Sequence, residues 1–132
     1  MRKRLFAAMC AGPAALALGA CERVTEPVVC SLPFIPPSVN VAVQDSVTGA
    51  NVTPGSTLVL RSASGVVDSV SIDPQPGYVI VSASLGYSAV GTFSLTVRHA
   101  GYQEWTKSGI EVEGEPCGAR TVSVTAHLRP AP

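Results

Sequence analysis

From residue 38 onward the apolar positions recur at every second place. Val39, Val41 and Val43 alternate with Asn40, Ala42 and Gln44, and Phe93, Leu95 and Val97 with Thr92, Ser94 and Thr96. At the end of the chain Val122, Val124, Ala126 and Leu128 share one side, leaving Thr121, Ser123, Thr125, His127 and Arg129 on the other. A period of two is the signature of a strand with one face in a core. Less regular strands are predicted at 57–62, 66–72, 78–85 and 109–113. Between them lie turn signals: Asp45 with Gly49, Pro54-Gly55, Asp73-Pro74 and Pro76-Gly77. Asp45 can bond its own following backbone, and Gly tolerates positive φ. No helical stripe follows the first twenty residues. The pattern predicts an all-β domain of about seven strands, a small antiparallel β-sandwich with a closed barrel as the alternative.

Residues 1–20 have a different texture. Arg2, Lys3 and Arg4 precede an apolar run from Leu5 to Ala20, interrupted at Gly12-Pro13. This is the layout of a secretory signal peptide. An uncleaved membrane helix is the alternative, but sixteen apolar residues fall short of the ~20 a bilayer requires, and Pro13 breaks the run. Leu18-Gly19-Ala20-Cys21 places a bulky residue three before the cut and a cysteine directly after it. It resembles the lipobox of bacterial lipoproteins, with Gly19 the one less usual choice. Cys10 also lies in the apolar run, but Met9 before it is too large for the position preceding a cut. The resemblance implies a diacylglycerol on the Cys21 thiol and an acylated amino terminus, hence a tether on, not through, the membrane. Residues 22–37, with Pro27, Pro33, Pro36 and Pro37, reject helix and central strand alike and read as a short tether. The chain thus divides into 1–20, 21–37 and a domain at 38–130.

Export decides the remaining cysteines. With Cys10 removed and Cys21 lipidated, Cys30 and Cys117 are left in an oxidising compartment, where an even pair normally forms a disulfide. Two thiols so far apart, without a CxxC or HxxxH, make a poor zinc site.

Charge changes the picture only once the chain is divided. Nine basic and nine acidic residues balance over the 132 residues. Without residues 1–20 there remain six basic against nine acidic. A mildly acidic domain, in a chain with 46% hydrophobic residues overall, is neither a nucleic-acid binder nor a disordered chain.

A further resemblance rests on the order of the motifs. Val39-x-Val41-x-Val43-x-Asp45, Thr48-Gly49-Ala50, Leu58 with Leu60, Gly91 to Val97 followed by Gly101-Tyr102, and Val122-x-Val124 running to Leu128-x-Pro130 resemble the carboxypeptidase regulatory-like domain. That family is a transthyretin-like β-sandwich. The resemblance implies a fold and a non-catalytic accessory role more than an activity.

Candidate chemistry is thin. Gly86-Tyr87-Ser88-Ala89-Val90-Gly91 is one residue too long for a nucleophile elbow and has no following helix in the pattern. His99 and His127 read as a strand-end and an outward-facing residue. Hydrolases of a purine-catabolism intermediate share the transthyretin-like fold, but they resemble one another in an early His and a terminal Tyr-Arg-Gly-Ser. This chain has no His before position 99 and ends Leu128-Arg129-Pro130-Ala131-Pro132. Intradiol dioxygenases hold iron with histidines close in sequence, unlike His99 and His127. Glu111, Glu113 and Glu115 alternate along an expected strand, projecting from one face into solvent. No loop gathers the oxygens of a calcium site. Cofactors and metals are therefore not expected.

Tyr102 and Trp105 are the best binding signal: an exposed pair would stack on a sugar ring or anchor a protein. In the resembled family the Gly-Tyr is structural, its ring under a loop and its hydroxyl satisfied, so packing and ligand contact both stand. With seven aromatic residues in all, a large carbohydrate platform is not expected. The expectation is a lipid-anchored envelope module, in the outer membrane facing periplasm or exterior, binding an envelope protein or glycan. A carbohydrate-binding module using Tyr102 and Trp105 is the alternative, and a small hydrolase or metal-dependent enzyme the rival class.

Overall fold

The computed structural model describes residues 27–30 and 34–132. The signal segment expected at 1–20 and the lipidation site expected at Cys21 lie outside the described residues. Among the described residues nine strands follow one another: β1 Val39–Asp45, β2 Ser56–Ser62, β3 Gly65–Ser71, β4 Ala83–Leu85, β5 Gly91–His99, β6 Trp105–Val112, β7 Gly114–Glu115, β8 Gly118–Ala119 and β9 Val122–Leu128. Seven of them build two sheets, β4-β1-β9 and β3-β2-β5-β6, while β7 and β8 form a two-residue ribbon.

The alternation places the core where period two predicts it. Val39, Val41 and Val43 of β1 are fully buried, as are Leu58 and Leu60 of β2, Leu95 and Val97 of β5, and Ala126 and Leu128 of β9. These side chains, with Leu85, Phe93, Ile110, Val112 and Val124, form one cluster between the sheets. Burying each Val or Leu contributes about 1.5–3 kcal/mol, so the two inner faces account for the layering.

One pairing departs from the antiparallel expectation. β1 runs parallel to β9 over all seven residues, from Val39 beside Val122 to Asp45 beside Leu128. These are the first and last strands of the domain. Parallel neighbours need a crossover, and here the four-stranded sheet lies between them in sequence. Consequently both strands begin at one pole and end at the other.

Two expected strands change length for identifiable reasons. The segment expected at 78–85 pairs only through Ala83–Leu85, against Val39–Val41. Beyond that point the edge of β1 is taken: the Val52 amide donates to Val43 O at 2.9 Å, the Val43 amide to Thr53 Oγ1 at 3.0 Å, and Gln44 bridges Asn51. The strand expected from 109 instead starts at Trp105. Gly109 is a bulge within β6, not its first residue: the register shifts between Phe93 and Leu95, and Gly109 absorbs it at φ +68°, a region that L-residues rarely occupy.

The Cys30–Cys117 disulfide is formed, with Cα atoms 5.3 Å apart. Cys117 lies between β7 and β8 at the pole where β1 and β9 begin. The glutamate run is also resolved differently from expectation. β6 ends at Val112, and Glu113 and Glu115 converge on Arg120 instead of repelling, at 3.5 and 2.8 Å. That hydrogen bond to Glu115, then the charges of Glu115 and Glu113, raise the Arg120 pKa further.

Candidate functional site

The opposite pole, where β1 and β9 end, is organised around Asp45. Its Oδ1 accepts from the amides of Val47 and Thr48 at 2.7 and 3.0 Å, the self-capping turn that the sequence predicts. Its Oδ2 accepts from the Tyr102 hydroxyl at 2.8 Å. The Thr48 amide, then the Tyr102 hydroxyl and the Val47 amide, hold the carboxyl below the ordinary aspartate range. In return the Asp45 carboxylate raises the Tyr102 phenol.

A backbone zipper fixes the surroundings. The Gln103 amide donates to Arg129 O and the Ala131 amide to Gly101 O, both at 2.9 Å, and Tyr102 bridges Pro130. The Ser46 amide donates to Leu128 O at 2.8 Å. The start of β6, the end of β9 and the turn after β1 are thereby drawn together. Between them opens a groove of about 460 Å³ lined by Ser46, Gln103, Glu104, Trp105, Thr106, His127 and Arg129.

Trp105 and Tyr102 take different places in this arrangement. Trp105 is half-buried, packed against the core on one side and lining the groove on the other. Tyr102, also half-buried, meets His99 edge-on with ring centroids 5.1 Å apart, and its hydroxyl is engaged by Asp45. It lines a second, neighbouring groove with Arg98 and His99. Glu104 borders both grooves and pairs with Arg98. The two rings are therefore not one stacking platform.

The two histidines are likewise divided. His127 faces the larger groove and His99 the smaller. The His99 nitrogens lie 2.7 Å from Ala100 O and 3.2 Å from Pro54 O, so backbone carbonyls engage the ring. Among the described residues, no three His, Cys, Asp or Glu side chains gather as metal ligands.

Sequence reasoning placed His127 and Arg129 on an outward face but did not join them to Trp105. The joining signal is the pairing of residues 101–103 with 129–131, which alternation within one strand does not encode. The groove combines one indole face with amide, carboxylate, guanidinium and imidazole groups. Such a lining can hold a polar ligand against an aromatic ring by stacking and directed hydrogen bonds. Neither a protein-family model nor a curated protein matches this chain.

Proposed function

We propose that this chain is a lipid-anchored, non-enzymatic binding module of the bacterial cell envelope. Cys21 carries the acyl chains, and the sandwich presents the Trp105 groove. The observation that carries the reading is the polarity of the fold. The disulfide pins the tether at the pole where β1 and β9 begin, and the groove lies at the pole where they end. A tethered module needs its recognition surface on the side away from the anchor, and this topology supplies it. The two-sheet, seven-strand arrangement supports the likeness to the carboxypeptidase regulatory-like, transthyretin-like domains.

The ligand reading favoured by the groove is a glycan. Trp105 is the only tryptophan, and it is flanked by Gln103, Glu104, His127 and Arg129, hydrogen-bonding groups matched to hydroxyls. An envelope protein docking the same groove is the other occupant. Crosslinking from intact envelope, with a photoreactive group at Gln103, distinguishes them. Glycan adducts support the sugar ligand and a discrete protein adduct the protein partner; the absence of any adduct overturns the groove as a binding site. Membrane fractionation of Cys21→Ser tests the anchor, and unchanged membrane association overturns it.

A further inference from the structure

The pole that carries the disulfide has an unusual surface. Phe34 is 75% exposed and Ile35 59%, Val29 87%, Tyr87 58% and Val90 55%. They come from two segments distant in sequence, yet the fold fastens those segments together. The Ser88 amide donates to Pro36 O at 3.0 Å, and Ser38 Oγ lies 2.6 Å from Ala89 O. Phe34 and Val29 border a groove that also meets Cys117 and Ala119 and is edged by Glu115 and Arg120.

We infer that this apolar pole rests on the lipid bilayer, with Phe34, Ile35, Tyr87 and Val90 set into the headgroup boundary. The inference rests on the anchor reading above and adds an orientation to it. Chain length selects the occupant. Cys30 follows Cys21 by nine positions, a span of at most about 32 Å at ~3.3–3.6 Å per residue. The disulfide ends that span at this pole and no other. A bilayer that holds Cys21 is thus always within reach of these side chains. Their chemistry suits it: exposed apolar groups gain by leaving water, and a tyrosine ring with a wet hydroxyl belongs at a membrane interface. The neighbouring Arg120 is engaged by Glu113 and Glu115, which leaves that trio with a net negative charge, so contact does not depend on anionic lipid. A second exposed apolar run, Tyr78, Val79 and Val81, lies toward the Asp45 end of β1, where Thr53 donates to Val81 O at 3.2 Å. It faces away from the tether and serves as the internal control.

The test uses the full mature protein purified from the envelope, its acylation read by intact mass, and reconstituted in phosphatidylcholine vesicles with brominated acyl chains. In a Trp105→Phe background, Tyr87→Trp places the only indole at the apolar pole and Tyr78→Trp places it at the control run. Brominated lipid is expected to quench most of the emission of the Tyr87→Trp variant. The Tyr78→Trp variant, and Trp105 in the unsubstituted protein, should keep theirs. An acylated protein whose Tyr87→Trp emission is unquenched, or no more quenched than the Tyr78→Trp control, overturns the docked orientation and leaves the anchor standing. A protein without acyl mass overturns both.

Discussion

The hydroxyl of Tyr102 donates to the carboxylate of Asp45 at 2.8 Å across 57 residues of sequence. It ties the β5–β6 connection to the turn that ends β1, and its two partners move in opposite directions on the pH scale. Asp45 is depressed, by the Thr48 amide first and then by Tyr102 and Val47. Its contribution is complete above the unfolded-state value of about 4 and fades as pH falls through the folded one. Thermal melts are expected to lose stability below about pH 4. Asp45→Asn should flatten that acid limb, and an unchanged limb would rule Asp45 out as its source.

Tyr102 is raised, chiefly by its hydrogen bond to Asp45. The sign is reversed: its contribution is present below the ordinary tyrosine value of about 10 and is lost as pH rises through the folded one. Tyr102→Phe keeps the ring against His99 and removes the hydroxyl. Melting curves of that variant should be lower near neutrality and lack the alkaline loss attributable to this phenol.

Removing the disulfide should be costly. Its partners are 87 residues apart, and a loop of that size stabilises by roughly 4–5 kcal/mol in the chain-entropy account. Urea unfolding of the Cys30→Ser, Cys117→Ser double variant should show that loss. Reduction of the unsubstituted protein should reproduce it.

Gly86 sits at φ +66°, and a Cβ there would lie 2.7 Å from Leu60 Cδ2. Gly86→Ala combines left-handed strain with a clash against a fully buried leucine, and should destabilise by about 1–3 kcal/mol. Leu60→Ala, which opens a cavity at the same place, should cost about 2–5 kcal/mol. Exposed Val47 should tolerate Ala within about 0.5 kcal/mol. Equal losses at Leu60 and Val47 would contradict the core described above.

The C-terminal residues complete the backbone zipper beside the groove. Deleting residues 130–132 removes the Ala131 amide bond to Gly101 O, and the loss of stability should be about 1 kcal/mol. Trp105 is the only indole, so its emission should shift to the red as the zipper loosens. Unchanged emission would mean that the zipper does not position Trp105.

Much of this fold is legible in the chain because burial imposes a strict period on it. The inward residues of β1, β5 and β9 could largely be read from alternation, since one face of each meets the core, although Thr96 is buried as well and Val122 only half-buried. The Asp45 turn was legible because an aspartate bonding its own amides is local. The length of β4 was not: it is set by competition for the edge of β1, which Val52 and Thr53 win from elsewhere in the sequence. The start of β6 was not legible for a related reason, as a glycine that opens a strand and one that bulges within it look the same in the chain. The groove is the least legible part. Trp105 stood out by type, but its companions His127 and Arg129 reach it only through pairing between distant segments.

The parallel pairing of β1 with β9 sets an order of events as well as a shape. Val39 cannot meet Val122 until the whole domain has been made, and a parallel pairing of such long sequence separation is intrinsically slow to form. β1 has few partners of its own before then: three residues of β4 and the short return at Asn51 and Val52. The smaller sheet therefore stays unmade while the four-stranded sheet can already pair, and only the arrival of β9 completes it.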